Sequence, residues 1–165
     1  MKMVIISLLS VLSVLSIMCD DGFPSDYLYG QNAARADVGV KPLKWSKQLT
    51  RMAEKFLNKH IIHCLQGQLV ARYSIYHGQN TARIPGFENL TAIHQAVEMW
   101  VEQKRYYDYE SNSCIGGGNL CHSYTQVVWK DSKEIGCSRV TCRIGGSLVA
   151  CIYRPLGNVA GQRPY

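Results

Sequence analysis

The sequence contains no second long apolar run, no internal repeat, no low-complexity tract and no composition shift that would mark a linker. These absences exclude a multi-span membrane protein, a repeat solenoid and a chain of several domains. The one apolar run, Val4–Met18, follows the basic Lys2 and ends before Asp20 and Asp21. It is shorter than the roughly 20 residues that span a membrane. We predict a signal peptide over residues 1–19, with an N-terminal membrane anchor as the alternative.

The charged residues are not clustered. The chain carries 18 basic and 12 acidic residues, for a formal net charge of +6, and they are scattered along it. This pattern excludes a dedicated nucleic-acid surface, and it favours weak attraction to anionic cell walls or membranes. A Gly-x-Ser-x-Gly motif is also missing, which excludes the serine hydrolases that use that turn. We expect residues 20–165, including a tail over 155–165, to form a single domain.

Cysteine is present, but in a pattern that argues against a metal site. None of the seven cysteines belongs to a Cys-x-x-Cys pair, so zinc binding by cysteine is excluded. Cys19 lies at the end of the predicted signal peptide. The other six form an even set, which predicts disulfides in an oxidising compartment.

The positions of the six cysteines favour one pairing. A hairpin centred near Ile144 would place Cys137 opposite Cys151. Cys142 is an odd number of residues from Cys137, so in a regular strand it faces the other way and needs a distant partner. Another pair encloses the flexible stretch "IGGGNL". We therefore predict the disulfides Cys137–Cys151, Cys114–Cys121 and Cys64–Cys142.

Three segments have helical patterns. The first begins at an N-cap Ser25 and ends at Gly39. The second follows an N-cap Ser46, and its apolar residues share one face: Leu49, Met52, Ala53, Phe56 and Leu57. The third, "TAIHQAVEMWVEQKRYY", directs five apolar residues inward: Ala92, Ala96, Val97, Trp100 and Val101.

The remaining segments predict loops and strands. Residues 65–90 have an irregular pattern, and strands are predicted at about 123–130, 134–142 and 147–153. Helices followed by a short antiparallel sheet indicate an α+β fold, and we predict a three-layer α-β-α sandwich.

Two smaller features have more than one interpretation. His60 and His63 have a spacing that would suit a metal, but a histidine at a helix C-terminus is also favoured by the helix dipole, and we prefer that interpretation. Asn89 begins the only Asn-x-Ser/Thr sequence and is a candidate glycosylation site.

Three long stretches resemble one known family: "SDYLYGQNAARADVGVKPLKW", "SYTQVVWKDSKEIGCSRVTC" and "YRPLGNVAGQRPY". They are similar to the plant pathogenesis-related proteins of class one, in the basic form, which belong to the CAP superfamily (cysteine-rich secretory proteins, antigen 5, pathogenesis-related). The resemblance runs from Ser25 to Tyr165 and is weakest at about 60–90. It implies an α-β-α sandwich with the same three disulfides.

The resemblance also implies a central cleft with two histidines and two glutamates, which hold zinc or another divalent ion in several relatives. In this sequence those positions correspond to Ser74, Gln79, Gln103 and Ser123. None is a good zinc ligand, although such neutral groups can hydrogen-bond to one another. We therefore predict that metal ligands, cofactors and catalytic residues are absent; His77 could replace the first histidine only if its loop rearranged.

His122 stands one residue before the position where the family has its second histidine. Along a strand, a shift of one residue turns the side chain to the opposite face. We therefore expect His122 to point away from the cleft, with a bulge that turns it inward as the alternative.

Two further segments carry functional expectations from the resemblance. Tyr106, Tyr107 and Tyr109 follow the third helix, where relatives bind sterols through an aromatic loop; ordinary packing is the alternative. The tail 155–165 resembles a defence peptide that plants release from some relatives, although Ile152 departs from the usual preceding pattern. The alternative is a tail that packs against the fold.

These observations predict a secreted plant defence protein of the apoplast or cell wall that acts by binding and is not an enzyme. The partners would be a sterol or other membrane lipid of a fungal or oomycete pathogen, and a receptor for the tail peptide. A divergent extracellular scaffold with a degenerate cleft is the alternative, and a metal-dependent hydrolase is disfavoured. Nucleic-acid binding and an integral membrane location are not expected.

Overall fold

The computed structural model describes residues 23–61, 64, 77–86, 91–143 and 145–165. The predicted signal peptide, Ser74, His63 and Asn89 lie outside these residues. Within them, the helices are α1 (Pro24–Asp37), α2 (Lys47–Lys59), α3 (Thr91–Glu102) and α4 (His122–Val127), with a 3₁₀ turn at Gln103–Tyr106. The strands are β1 (Lys44–Trp45), β2 (Gly78–Ile84), β3 (Tyr107–Asp108), β4 (Ser113–Cys114), β5 (Glu134–Thr141) and β6 (Ser147–Arg154).

Four of these strands form one sheet in the order β1-β5-β6-β2. β1 pairs with β5 in parallel, and the other two pairings are antiparallel. The β5–β6 hairpin aligns Thr141 with Ser147, as predicted for a centre near Ile144. β3 and β4 form a separate two-stranded ladder in the loop that precedes α4.

The sheet lies between two layers of helix, and the predicted α-β-α sandwich is confirmed. α2 covers one face, where Leu49, Ala53 and Leu57 are buried against apolar residues of β5 and β6. α1, α3 and α4 cover the opposite face and pack on the strands in the larger core cluster, which includes the buried Trp100 and Tyr27. Successive side chains of β5 and β6 point to opposite faces of the sheet, so both strands contribute buried residues to both cores.

Gly136 sets how closely α2 approaches the sheet. A Cβ atom at Gly136 would overlap the backbone of Leu49 and Thr50 in α2. Because the obstacle is backbone, no side-chain rotation could relieve it. The first turn of α2 therefore rests directly on the β5 backbone.

The predicted helix ends are partly corrected. α1 begins at Pro24 and its N-cap is Phe23, so the predicted N-cap Ser25 is wrong. Pro24 already has the backbone φ of a first helical residue, and the Asp26 carboxylate accepts a hydrogen bond from the Phe23 N–H at 2.9 Å. The N-cap Ser46 of α2 is confirmed.

The prediction that 65–90 is irregular is wrong for residues 78–84, which form β2. Its sequence "GQNTARI" has few of the residues that favour strands. β2 is nevertheless paired along its whole length with β6, from Gly78 opposite Tyr153 to Ile84 opposite Ser147. The partner strand, rather than local propensity, fixes this conformation.

The predicted strand at 123–130 is also wrong, since residues 122–127 form the helix α4. Residues 124–129 are buried without alternation. Both ends of α4 are held by distant groups: Gln103 accepts from the amide of Ser123, and Arg35 donates to the carbonyls of Val127 and Trp129. These tertiary contacts override the strand propensity of the valines and aromatic residues.

The three predicted disulfides are present. Cys137 and Cys151 face each other across β5 and β6, with their Cα atoms 4.1 Å apart. Cys64–Cys142 and Cys114–Cys121 have Cα separations of 5.5 Å and 5.4 Å. As the odd spacing predicted, Cys137 lies in the core under α1 and α3, and Cys142 in the core under α2.

Candidate functional site

Two of the cleft positions, Gln103 and Ser123, are in direct contact. The Gln103 side-chain Oε1 accepts a hydrogen bond from the Ser123 backbone N–H at 2.9 Å. Ser123 is the second residue of α4, and amides in a first helical turn have no acceptor within their own helix. Gln103, which follows α3, therefore supplies the missing cap.

Asn80 is a buried polar residue near this contact that sequence reasoning missed. Its Nδ2 donates to the Ser123 carbonyl at 2.9 Å and to the Tyr153 hydroxyl oxygen at 3.2 Å. The Tyr153 hydroxyl in turn donates to Gln31 Oε1 at 2.6 Å, and Gln31 Nε2 donates to the Tyr27 carbonyl. A neutral chain of hydrogen bonds thus joins β2, β6, α1 and α4. The only signal for Asn80 was its place beside Gln79 in "GQNTA".

Gln79 does not join this network. It pairs with Ile152, which belongs to the core under α2, and cross-strand partners share a face. Its side chain therefore lies on the opposite side of the sheet from Asn80. The Gln79 Nε2 is buried and makes no hydrogen bond within the described part of the chain. Of these three predicted cleft positions, Gln103 and Ser123 are in contact, and Gln79 lies on the face of the sheet that α2 covers.

His122 lies at the beginning of α4, and the strand argument for its direction no longer applies. On a helix, neighbouring residues differ by about 100° around the axis. His122 is exposed, and it lines a cavity of about 250 Å³ between α4 and the tail together with Tyr107 and Trp129. Partial burial lowers the pKa of His122, so the neutral imidazole is favoured at neutral pH.

Two further histidines that the structure describes, His60 and His77, lie at the end of α2 and directly before β2. His60 is the C-cap of α2, and its Nδ1 is 2.7 Å from the Phe56 carbonyl oxygen, in keeping with the helix-end interpretation. His77 immediately precedes β2, where burial and then the charge of Arg154 lower its pKa. Among the residues that the structure describes, no three His, Cys, Asp or Glu side chains are grouped to hold a metal.

The side chains at Gln103 and Ser123 do not fit a zinc ion. Zinc in proteins is held by thiolate, imidazole and carboxylate ligands. Here the Gln103 amide oxygen is already engaged by the Ser123 N–H, and no charged group replaces the missing ligands at these two positions. Gln103 and Ser123 are joined instead by a hydrogen bond between neutral groups.

The tyrosine loop faces the tail. Tyr107 and Tyr109 meet edge to face with ring centroids 6.4 Å apart, and Tyr165 stacks on Tyr109 at 5.1 Å. Tyr106 lies apart and is covered by the Arg105 guanidinium at 4.9 Å. Burial raises the pKa of Tyr107, with smaller effects from neighbouring tyrosines. Of the three loop tyrosines, Tyr109 is the most exposed, with a fractional exposure of 41%.

A family model for the cysteine-rich secretory proteins, CAP, matches residues 28–153. The chain belongs to the CAP family. Within it, the chain is similar to pathogenesis-related protein 1B of Nicotiana tabacum, with 46% identity over 140 residues, which are 85% of this chain and 79% of the tobacco protein. This likeness supports a pathogenesis-related protein of class one, as the sequence motifs predicted.

Solved CAP structures share the fold. Venom allergen-like protein 4 of Schistosoma mansoni aligns with a TM-score of 0.62 and 27% identity, over 86% of this chain and 91% of that protein. NaASP2, crystallised with Zn²⁺, aligns with a TM-score of 0.63 and 19% identity, over 86% of this chain and 83% of that chain.

The described part of the present chain contains no helix with the length and apolarity of a membrane span.

Proposed function

We propose that this CAP protein is secreted from the plant cell and acts in defence by binding, without catalysis and without a metal ion. The defence role follows from its similarity to pathogenesis-related proteins. The observation that supports binding without a metal is the contact between Gln103 and Ser123. A buried carboxylate or other charged ligand would need a metal or an opposite charge beside it. Gln103 and Ser123 are neutral and need neither.

The first test is calorimetric titration of zinc into the oxidised protein without its signal peptide, near neutral pH. We expect no heat from a binding site, alongside a cooperative thermal melt that shows the protein to be folded. A single-site isotherm would contradict the proposal. The variant His122→Asn is the matched control, because loss of that isotherm in the variant would identify His122 as a ligand.

For the ligand, we propose a sterol bound at the tyrosine loop. Tyr109 is 41% exposed and lies next to two further tyrosine rings, and such flat apolar groups suit a rigid ring lipid. The excess of positive charge would assist approach to an anionic membrane. The antifungal or anti-oomycete effect would follow from withdrawal of sterol from the pathogen membrane.

This proposal is tested with a fluorescent sterol and the variants Tyr109→Ala and Tyr29→Ala. Tyr29 on α1 is 83% exposed, so its replacement controls for the loss of any surface tyrosine. We expect Tyr109→Ala to weaken binding at least tenfold and Tyr29→Ala to leave it unchanged. Equal binding by all three proteins would remove the tyrosine loop as the site.

We also propose that the tail is a source of a defence peptide. β6 ends at Arg154, and Pro155 and the residues beyond it form neither helix nor strand. A cut at this point would leave the sheet intact. Incubation of the folded protein with plant extracellular fluid, followed by mass spectrometry, should yield the 155–165 peptide; its absence would argue against release.

A further inference from the structure

The tail 155–165 is held to the body of the protein along most of its length although it has no regular secondary structure. At its beginning, the Ser132 hydroxyl donates to the Pro155 carbonyl at 2.9 Å, and the Gly157 N–H donates to Gln126 Oε1 at 2.9 Å. A Cβ atom at Gly157 would press on the Gln126 amide and the Trp129 ring. A larger residue at this position would therefore have to displace Gln126 and Trp129.

Asn158 fixes the next part of the tail on α4. Its Oδ1 accepts from the Thr125 hydroxyl at 2.6 Å, and its Nδ2 donates to the His122 carbonyl at 2.9 Å. Its backbone has a positive φ of 55°, a conformation that asparagine tolerates better than most residues. The oxygen and the nitrogen of the Asn158 side-chain amide thus both form hydrogen bonds with α4.

The last residues of the tail bind the tyrosine loop. The Lys130 N–H donates to the Pro164 carbonyl at 2.7 Å, and the Arg163 guanidinium donates to the carbonyls of Tyr109 and Glu110. The Arg163 guanidinium also lies 4.9 Å from the Tyr109 ring centroid, while Tyr165 stacks on the same ring. Two tail side chains therefore contact the Tyr109 ring.

These contacts do not make the tail part of either core. Tyr165 packs against the edge of the larger core cluster, and the other residues of both clusters precede Pro155. The cavity of about 250 Å³ lies between the tail and α4, so the tail does not fill the space beside that helix. The tail is thus held as a bound peptide is held, by many polar contacts and one aromatic anchor, on a body whose two core clusters precede Pro155 apart from Tyr165.

The geometry points to a peptide-binding site on the body of this protein, formed by α4, residues 130–132 and the loop 107–112, whose ligand is the tail itself. A chain cut between Arg154 and Pro155 keeps the tail as a noncovalent ligand. This inference rests on the proposed release of the peptide and changes its final step. Dissociation, and not cleavage, frees the peptide, and another glycine-containing peptide that ends in Arg-Pro-Tyr would displace it.

The test places a specific protease site between Arg154 and Pro155 of the full chain and cuts it after folding. We expect the peptide to co-elute with the body on gel filtration in native buffer and to separate in denaturant. Arg163→Ala in the cut chain should raise the dissociation rate at least tenfold. Arg143→Ala, an exposed change in the β5–β6 turn, should leave the rate unchanged.

Two results would overturn the inference: immediate separation of the peptide from a body that keeps its circular dichroism, or unfolding of the body on cutting. A second measurement avoids the insertion. A labelled peptide of residues 155–165 should bind to the uncut double variant Arg163→Ala/Tyr165→Ala, whose own tail is weakened, and not to the uncut parent chain. Failure to bind the double variant would count against the site. Because both tests bypass the plant protease, they stand apart from the test of natural release.

Discussion

At the scale of single residues, Arg35 shows how much one side chain organises. It is fully buried on α1, and its guanidinium donates to four carbonyls, those of Lys41, Val127, Trp129 and Ser132. Its hydrogen bonds go to neutral carbonyl groups, and burial lowers its pKa to about 10. The residue therefore acts as a multiple hydrogen-bond donor that joins α1 to the end of α4.

Arg35→Met should lower the free energy of unfolding by about 3 kcal/mol or more, because it leaves buried carbonyls without donors. Urea denaturation of the oxidised protein would measure the change. Arg51→Met, at an exposed position of α2, is the matched control and should stay within about 0.5 kcal/mol of the parent. Equal effects of the two substitutions would contradict the role given to Arg35.

A pH prediction follows from Tyr153. Burial raises the pKa of Tyr153 well above that of a free tyrosine, and burial does the same for Tyr124. The unfolded chain therefore loses these protons first, at about pH 10. The stability that depends on them is fully present below that pH and is lost as the pH rises above it.

We expect the melting temperature to fall between about pH 9.5 and 11, less steeply in Tyr153→Phe. Arg35 opposes this trend, because its lowered pKa of about 10 makes the unfolded state the better proton binder above about pH 10. Because the pKa of Tyr107 is also raised, three tyrosines act against one arginine, and the net effect of rising pH is a loss of stability. A melting temperature that is level across this range in the parent protein would refute the assignment.

At the scale of elements, α4 is a helix of six residues that depends on its surroundings. So short a helix is unstable alone. Gln103 caps its beginning and Arg35 donates to the carbonyl at its end, while the tail lies along its side. The short helix that carries Ser123 therefore depends on tertiary contacts at both of its ends.

Gln103→Ala should cost about 1 kcal/mol, the usual effect of losing a helix cap, and should speed amide exchange locally in α4. Hydrogen exchange followed by mass spectrometry would resolve the affected segment. Gln95→Ala, exposed on α3, is the control. A uniform rise in exchange across β5 and β6 would mean that Gln103 supports the whole fold and not α4 in particular.

The same dependence explains which elements could be predicted from sequence. The β5–β6 hairpin and its disulfide were predictable because strand alternation and the spacing of Cys137 and Cys151 are local properties. α2 was predictable because its apolar residues repeat at helical spacing. α4 was not, because Gln103 and Arg35, which hold its ends, are distant in sequence.

The cleft was predictable only in part for a related reason. Gln103 and Ser123 were found through the family motif, and their contact follows from the fold. The partnership of Asn80 with Tyr153 could not be predicted, because it depends on β2, whose sequence does not indicate a strand. The pairing register of β2 is fixed by its partner strand, β6, and not by the β2 sequence itself.

At the scale of the whole molecule, the disulfides differ in how many residues of the chain separate the two cysteines that they join. Cys64–Cys142 closes a loop of 78 residues and ties the segment after α2 to the end of β5. Cys114–Cys121 closes a loop of only 7 residues beside the tail. In the chain-entropy model the longer closure restricts the unfolded chain more.

Replacing both members of Cys64–Cys142 with alanine should therefore cost about 2 kcal/mol more than the same change at Cys114–Cys121. Urea midpoints of the two variants would measure the difference. Loss of Cys114–Cys121 should instead speed dissociation of the tail from the cut chain, because this bridge borders the tail cavity. Equal urea midpoints would show that native contacts, and not chain entropy, determine the contribution of each bridge.

The position of Tyr165 has a practical consequence for handling the protein. A purification tag fused after Tyr165 would have to leave from the stack between that ring and Tyr109. Phe23, by contrast, is 76% exposed at the beginning of α1. An affinity handle placed ahead of Phe23 would leave the tail free to bind, whereas one at the other end would disturb the contact between Tyr165 and Tyr109.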